Sequence, residues 1–408
     1  MIVLSGADLV LPDRIVSPGT VVIHDGRIVE IAAKPGGTLL HHYIVPGFID
    51  VHVHGVGGVD VLDSPGAIGR MSEQLPRYGV TAFCPTTVAC PPPALRDVLT
   101  QVRGMRQAGN GRGARVLPAH LESNFINPEY RGAQPGACLR TPRAAMAASA
   151  DPAASAVRET DPSRSSIDFT GADILREIER AAPDIAIVTL APELDGGLEL
   201  TAWLAARGIR AALGHSAATF DRALEAIAAG ARHATHLFNR MAPFEHRAPG
   251  LVGAVLQTDD IAAELICDGY HLHPAAIRTA IAAKRPSRIL AITDGTAASG
   301  LPVGARAMLG GQPIQARSSG AFLPDETLAG SVATMDRVFQ FLVGRVGLSL
   351  VDAVTVCSTT AARELGLVGF GVLAVNAVAD LVVLDSQLSV VQTYIGGQLV
   401  YSKLKTEN

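Results

Sequence analysis

The 408-residue sequence predicts an α/β protein: a (β/α)8 TIM-like barrel with a small β-sandwich domain formed by both termini. Three observations carry this expectation. Eight short apolar runs alternate with Ala- and Leu-rich helical patterns through the middle of the chain. Both ends carry hairpin patterns that the middle lacks. Most of the eight runs finish on a polar or ionisable residue, and barrel enzymes place their chemistry at that end of the strands.

At the N-terminus, "GTVVIHDGRIVEIAA" holds two alternating apolar runs joined by Asp25-Gly26, a strong hairpin signal. Near the C-terminus, "ADLVVLDSQLSVVQTYIGGQLVYS" repeats the arrangement around Gly396-Gly397. Residues 1–45 and 370–408 are therefore expected to form one small β domain, and residues 46–369 the catalytic barrel. The barrel strands are read in "IVPGFIDVHVHG", "VTAFCPTTV", "ARVLPAHLES", "DIAIVTLAPE", "IRAALGHS", "HATHLFN", "AAELICDG" and "RILAITDG". Segments such as "DRALEAIAAGA" and "PAAIRTAIAAK" supply helices between them. Residues 140–170, rich in Ala, Ser, Pro and charge, are expected to be a long excursion and a partial lid.

Composition narrows the function classes. With 48% hydrophobic and 18% charged residues, a packed globular protein is expected rather than disorder. A net charge of -4 gives no reason to expect a nucleic-acid partner. The five cysteines are scattered without a CxxC pair, so they are expected as small core residues rather than disulfides or zinc ligands. "MIVLSGADLVLPDR" has no basic start and is not read as a signal peptide. No apolar run is long enough to span a bilayer, so a cytoplasmic protein without a membrane partner is expected.

The ionisable residues at the strand ends form a set. His52 and His54 lie two apart in a strand and so face the same side. Glu122 ends the third strand, where a carboxylate is costly to bury unless it is paired or holds a metal. His215, His236 and Asp294 end the fifth, sixth and eighth strands. Each alone fits a satisfied core polar group. Together, four histidines and two carboxylates converge on one axis and suit zinc or a similar divalent ion.

The stretches "PGFIDVHVHG", "HLESNFINPEYRGAQ", "LAPE", "GHSAATF", "ATHLFNRMAPFEHRAPGLVGAVL", "CDGYHLHP", "TDGTAASGLPVG", "LAGSVATMD" and "STTAARELGL" resemble the amidohydrolase superfamily. Within it, the resemblance is to the N-acetylglucosamine-6-phosphate deacetylases, in the family's order over nearly the whole chain. It implies metal-dependent hydrolysis of the N-acetyl amide of an amino sugar, most directly N-acetylglucosamine 6-phosphate, giving acetate and the free amine. Glu122 takes the place of the bridging carboxylated lysine of other amidohydrolases. His215 and His236 join it on one ion, while His52 and His54 complete a second site with Glu122 and Asp294. One or two ions are implied, zinc first, with Fe, Mn, Co or Ni as alternatives. Asp294 would take the water proton and pass it to the leaving nitrogen, and His271 would assist at the oxyanion. Ala133, Gln134, Asn239, Arg240, Arg247, His271, Leu328, Ala329 and Gly330 are implied as substrate residues, and a homodimer as the assembly. His24, His41, His42 and His233 are read as structural or surface residues. His273 has no assigned role.

The chain departs from the family at Ser123-Asn124 (usually Gly-Pro), Gln134 (usually His), Arg240 (usually small) and "MAPFEHRAP" (usually "MPPLHHREP"). A pocket rebuilt for another N-acyl amino sugar is the alternative, for example N-acetylgalactosamine 6-phosphate or a specialised-pathway sugar. A deaminase or cyclic-amide hydrolase of the same superfamily ranks below it.

Overall fold

The computed structural model describes residues 1–34, 37–63, 65–109, 111, 113–149 and 168–403. Eight parallel strands pair in chain order: Phe48–Val53, Val80–Thr87, Ala119–Glu122, Ile185–Leu190, Arg210–Leu213, His233–Ala234, Ala262–Ile266 and Ile289–Ile292. Each falls within one of the eight apolar runs. The ring closes at its C-terminal end, where the Asp294 N–H donates to the His52 carbonyl (3.0 Å) and the His54 N–H to the Gly295 carbonyl (2.7 Å). Closure thus places strand 1 and strand 8 side by side at the mouth, with His52, His54 and Asp294 as neighbours.

The strand pleat sends successive residues into different apolar layers. Ala82, Cys84, Ile187, Ala212, Ala262, Leu290 and Ile292 form one cluster. Their chain neighbours Phe83, Val188, Leu213, Ala263 and Ala291 join the large cluster shared with the surrounding helices. The helix Phe220–Ala228 starts where Thr219 accepts the Arg222 N–H, and the helix Pro274–Lys284 where His273 accepts the Ala275 N–H. Capping gives His273 a structural role. All five cysteines are buried and free.

Both chain ends meet in one seven-stranded sheet, ordered Gln398–Ser402, Val390–Ile395, Leu381–Leu384, Tyr43–Pro46, Ile2–Val10, Ile15–His24 and Arg27–Ala33. Leu9, Val21, Ile23, Ile28, Ile44, Leu381 and Val383 form its core. Asp25 and Gly26 both have positive φ (48° and 74°), as do Gly396 and Gly397 (55° and 74°), the requirement of the tight hairpin turn. The two turns pack together, for a Cβ on Gly26 would sit 3.1 Å from the Gly396 carbonyl oxygen. Arg115, beside barrel strand 3, ties the barrel to this sheet through both oxygens of Asp380 (2.7 and 3.0 Å).

Two features differ from expectation. A three-stranded antiparallel sheet, Arg306–Leu309, Gln312–Arg317 and Gly320–Phe322, follows strand 8. Its turn at Gly310-Gly311 carries the same positive φ pair as the terminal hairpins. Of the expected 140–170 excursion, residues 150–167 lie outside the described residues. The part before them is a helix, Pro142–Ser149, held by Arg143 to Asp195 and Glu199.

Candidate metal centre and substrate pocket

The six expected ligand residues meet at the barrel mouth, each less than a tenth exposed. Glu122 Oε1 lies 2.8 Å from Nε2 of both His215 and His236, and those two nitrogens are 3.0 Å apart. On the other side, Asp294 Oδ1 lies 3.4 Å from His52 Nε2 and 3.2 Å from His54 Nε2. Glu122 stands between the groups, with Oε2 3.4 Å from His54 Nε2.

The tautomers explain why these atoms converge. His52 Nδ1 faces Glu264 (2.9 Å), His54 Nδ1 the Thr86 carbonyl (3.0 Å) and His215 Nδ1 the Tyr130 carbonyl (2.7 Å). Each partner only accepts, so each Nδ1 donates and the neutral ring turns its Nε2 lone pair inward. Three inward lone pairs and two carboxylates in a buried space form a donor set for a divalent cation. With protons instead, the rings become imidazolium: burial lowers His52, but Glu264 and Asp294 outweigh it and raise it to about 9, and His54 rises to about 10 beside Asp294 and Glu122. Burial raises Glu122, yet His215 and His236 hold it well below the usual carboxylate range.

Three of these residues adopt left-handed backbone: His215 (φ 48°), His236 (φ 28°) and Asp294 (φ 47°). Such positions cost about 1–3 kcal/mol each and persist only where surroundings over-determine them. Here the His236 N–H donates to Glu264 (3.1 Å), Asn127 N–H to the His215 carbonyl (3.1 Å) and Asp294 N–H to His52.

Sequence reasoning missed Glu264. It is fully buried and binds His52, the His236 N–H and His233 Nε2 (2.8 Å). His233, expected to be structural or surface, is buried in this network. A third grouping, His52, His120 and Glu264, also has ligand-type atoms close together. Both His120 nitrogens are already engaged, by the Val51 carbonyl (3.1 Å) and the Thr189 hydroxyl (2.8 Å), so hydrogen bonding accounts for this group. Burial pushes His120 down to about 3, leaving it neutral.

A cavity of about 460 Å³ opens above these residues, lined by His54, Glu122, Gln134, His215, His236, Asn239, Arg240, His271, Asp294 and Leu328–Gly330. Ala133 lines it too, as do Tyr130, Arg131 and Gly132, which the sequence reading left out. His271 Nδ1 pairs with Asp268 (2.6 Å). Burial lowers the ring's pKa, but the Asp268 hydrogen bond outweighs it and the net shift is upward. Gly330 has φ 79°, and a Cβ there would sit 2.9 Å from the Asp294 carbonyl oxygen, so glycine permits the close approach. Arg240 spans the mouth: its Nη2 points to the Leu328 carbonyl (3.5 Å), and a Cβ on Gly132 would lie 2.7 Å from its Nε.

Some expected positions fall elsewhere. Arg247 is exposed and does not line this cavity. Ser123 and Asn124 do not line it either. Ser123 donates to the Thr189 carbonyl (2.5 Å), and Asn124 Nδ2 to the Cys90 and Cys138 carbonyls (2.9 and 2.8 Å). These two departures from the family pattern therefore brace the loop behind the pocket. Gln134 and Arg240 remain the departures that face it. Among the described residues no helix is long and apolar enough to cross a membrane.

Residues 43–400 match the model of the amidohydrolase family. The N-acetylglucosamine-6-phosphate deacetylase of Danio rerio is 38% identical over 372 residues, covering 88% of this chain and 85% of that protein. The N-acetylgalactosamine-6-phosphate deacetylase of Escherichia coli O157:H7 is 34% identical over 381 residues, 92% of this chain and 93% of that one. Among solved structures, an aspartate-to-alanine mutant of the Mycobacterium smegmatis N-acetyl-D-glucosamine-6-phosphate deacetylase, in complex with N-acetyl-D-glucosamine-6-phosphate, superposes with a TM-score of 0.84. It is 31% identical, covering 98% of this chain and 99% of that one.

Proposed function

The chain belongs to the amidohydrolase family, and we propose that it hydrolyses the N-acetyl amide of N-acetylglucosamine 6-phosphate to acetate and the free amine, with relatives of that activity at 32–38% identity in support. The observation that carries the reading is the convergence of Glu122, His215, His236, His52, His54 and Asp294 under one polar cavity.

Glu122, His215 and His236 would hold one divalent ion, and His52, His54 and Asp294 would offer a second position. Zinc suits the nitrogen and oxygen donors, with Fe, Mn, Co or Ni as alternatives. When bound, such an ion polarises an acyl oxygen and lowers the pKa of water towards neutrality. Asp294 receives the proton of the attacking water and returns it to the leaving nitrogen. In the metal-free chain burial favours its protonation, but His52 and His54 hold its pKa below the ordinary carboxylate value; a nearby cation likewise favours its base form. His271, oriented through Nδ1 by Asp268, presents Nε2 to the developing oxyanion. Arg240, Arg131 and Asn239 face the sugar and its phosphate; an arginine fork matches phosphate oxygens. Leu328, Ala329 and Gly330 close over the ring. A cytoplasmic homodimer belongs to the same proposal, and light scattering tests the assembly.

The test is acetate release from N-acetylglucosamine 6-phosphate, N-acetylgalactosamine 6-phosphate and the two unphosphorylated sugars. The glucosamine phosphate should have the highest kcat/KM. A clear preference for the galactosamine phosphate would replace the substrate and keep the reaction; ammonia in place of acetate would overturn both.

A further inference from the structure

Gln134 is buried, 6% exposed, and both ends of its amide are fixed. Its Oε1 accepts the Ala89 backbone N–H at 2.7 Å, which leaves Nε2 to donate to Glu122 Oε2. Turning the amide over would set two donors face to face at Ala89, so the orientation is dictated by the backbone. The two oxygens of Glu122 therefore have different surroundings. Oε1 lies 2.8 Å from both His215 and His236. Oε2 is the oxygen nearer His54 (3.4 Å), and it already accepts the Gln134 N–H.

We infer that Gln134 keeps Glu122 a ligand of one ion rather than a bridge between two, so that the Glu122, His215 and His236 site binds tightly and the His52, His54 and Asp294 site weakly. This rests on the metal reading above. A cation placed between His54 and Oε2 would face the positive end of an amide that Ala89 prevents from swinging away. Oε1 is 3.7 Å from His52 Nε2, farther than from His215 and His236, so the second ion would be held chiefly by His52, His54 and Asp294. Gln134 is thus a positioning residue that sets metal stoichiometry, and its family-atypical identity acts through Glu122 before it acts on substrate.

The experiment is calorimetric titration of the metal-free full chain with Zn²⁺, alongside His54→Ala to mark the second site. Wild type should bind one ion tightly and a second more weakly by roughly 10- to 100-fold, the range in which partners of metal ligands act. Gln134→Leu removes the donor and Gln134→Glu replaces it with an acceptor. Both should tighten the second event by a similar factor and leave the first unchanged. Two ions of equal affinity in wild type would overturn the inference while sparing the metal centre. So would an unaltered second event in both variants when circular dichroism shows them folded. If neither variant folds, the wild-type and His54→Ala titrations decide alone. No binding of Zn²⁺ at all would overturn the metal reading and this inference together.

Discussion

Removing Glu264 tests whether the histidines at the barrel mouth are held by the network behind them. Its carboxylate accepts three donors: His52 Nδ1 at 2.9 Å, His233 Nε2 at 2.8 Å and the His236 N–H at 3.1 Å. In Glu264→Leu all three lose their partner in a dry site. An unsatisfied buried donor costs about 1–3 kcal/mol, so the three together cost about 3–9 kcal/mol. That is comparable with a whole protein's stability of about 5–15 kcal/mol. Glu264→Gln behaves differently. Its carbonyl can serve His52 and the His236 N–H, while His233 moves its proton to Nδ1, which has no partner in the wild type, and accepts the new amide N–H. One charge-assisted bond weakens, at a cost of about 1.5–3 kcal/mol. The neutral amide still orients His52 through Nδ1 but no longer raises the ring's basicity as a carboxylate does, so affinity at that site should fall by roughly 10- to 100-fold. Urea unfolding measures the stabilities and chelator competition the affinities. A Leu variant that loses under about 1 kcal/mol, or a Gln variant with unchanged metal affinity, would refute the reasoning.

Asp294→Asn should keep the fold and the Glu122-centred ion but lose on the order of 10²–10⁴-fold in kcat, since asparagine cannot accept and return a proton; unchanged turnover at intact metal content removes that role. Arg240→Ala should raise KM for the phosphorylated sugar by about 10- to 100-fold, the loss of one charge-assisted bond. It should leave KM for unphosphorylated N-acetylglucosamine unmoved; an equal rise for both sugars shows that Arg240 shapes the mouth rather than holds phosphate. The metal-free chain should lose stability as pH rises. His52 and His54, ordinarily near 6.5, are raised to about 9 and 10, so their contribution is complete below pH 6.5 and disappears as pH climbs through 9 and 10. Bound metal should displace those protons and flatten the trend; a metal-free chain whose melting temperature is higher at pH 9 than at pH 6.5 contradicts the assignment.

The barrel and the residues that gather at its mouth were legible because most strands ended on a residue that an apolar interior does not tolerate without a partner. Glu264 obeyed the same rule inside "AAELI" and was passed over, because it lies within its strand and the search ran along strand ends. The Gly310-Gly311 hairpin had the same turn signal as the two terminal hairpins, but Pro302 and Pro313 interrupt the alternation that would have flagged strands. Ser123 and Asn124 are one and two residues beyond Glu122, and proximity in sequence suggested pocket positions. Which way they turn depends on carbonyls of Thr189, Cys90 and Cys138, far away in the chain. Gln134 likewise takes its meaning from Ala89, a contact across 45 positions that no local pattern carries.

The central claim is a metal-dependent deacetylase, and one measurement tests it most directly: acetate released from N-acetylglucosamine 6-phosphate by the chelator-treated chain, before and after addition of Zn²⁺ or another divalent ion, in wild type and Glu122→Gln. The expected result is activity that vanishes with the metal, returns on its addition to wild type, and does not return in Glu122→Gln, which lacks the carboxylate shared with His215 and His236. Full acetate release by a chain verified to be metal-free would contradict it.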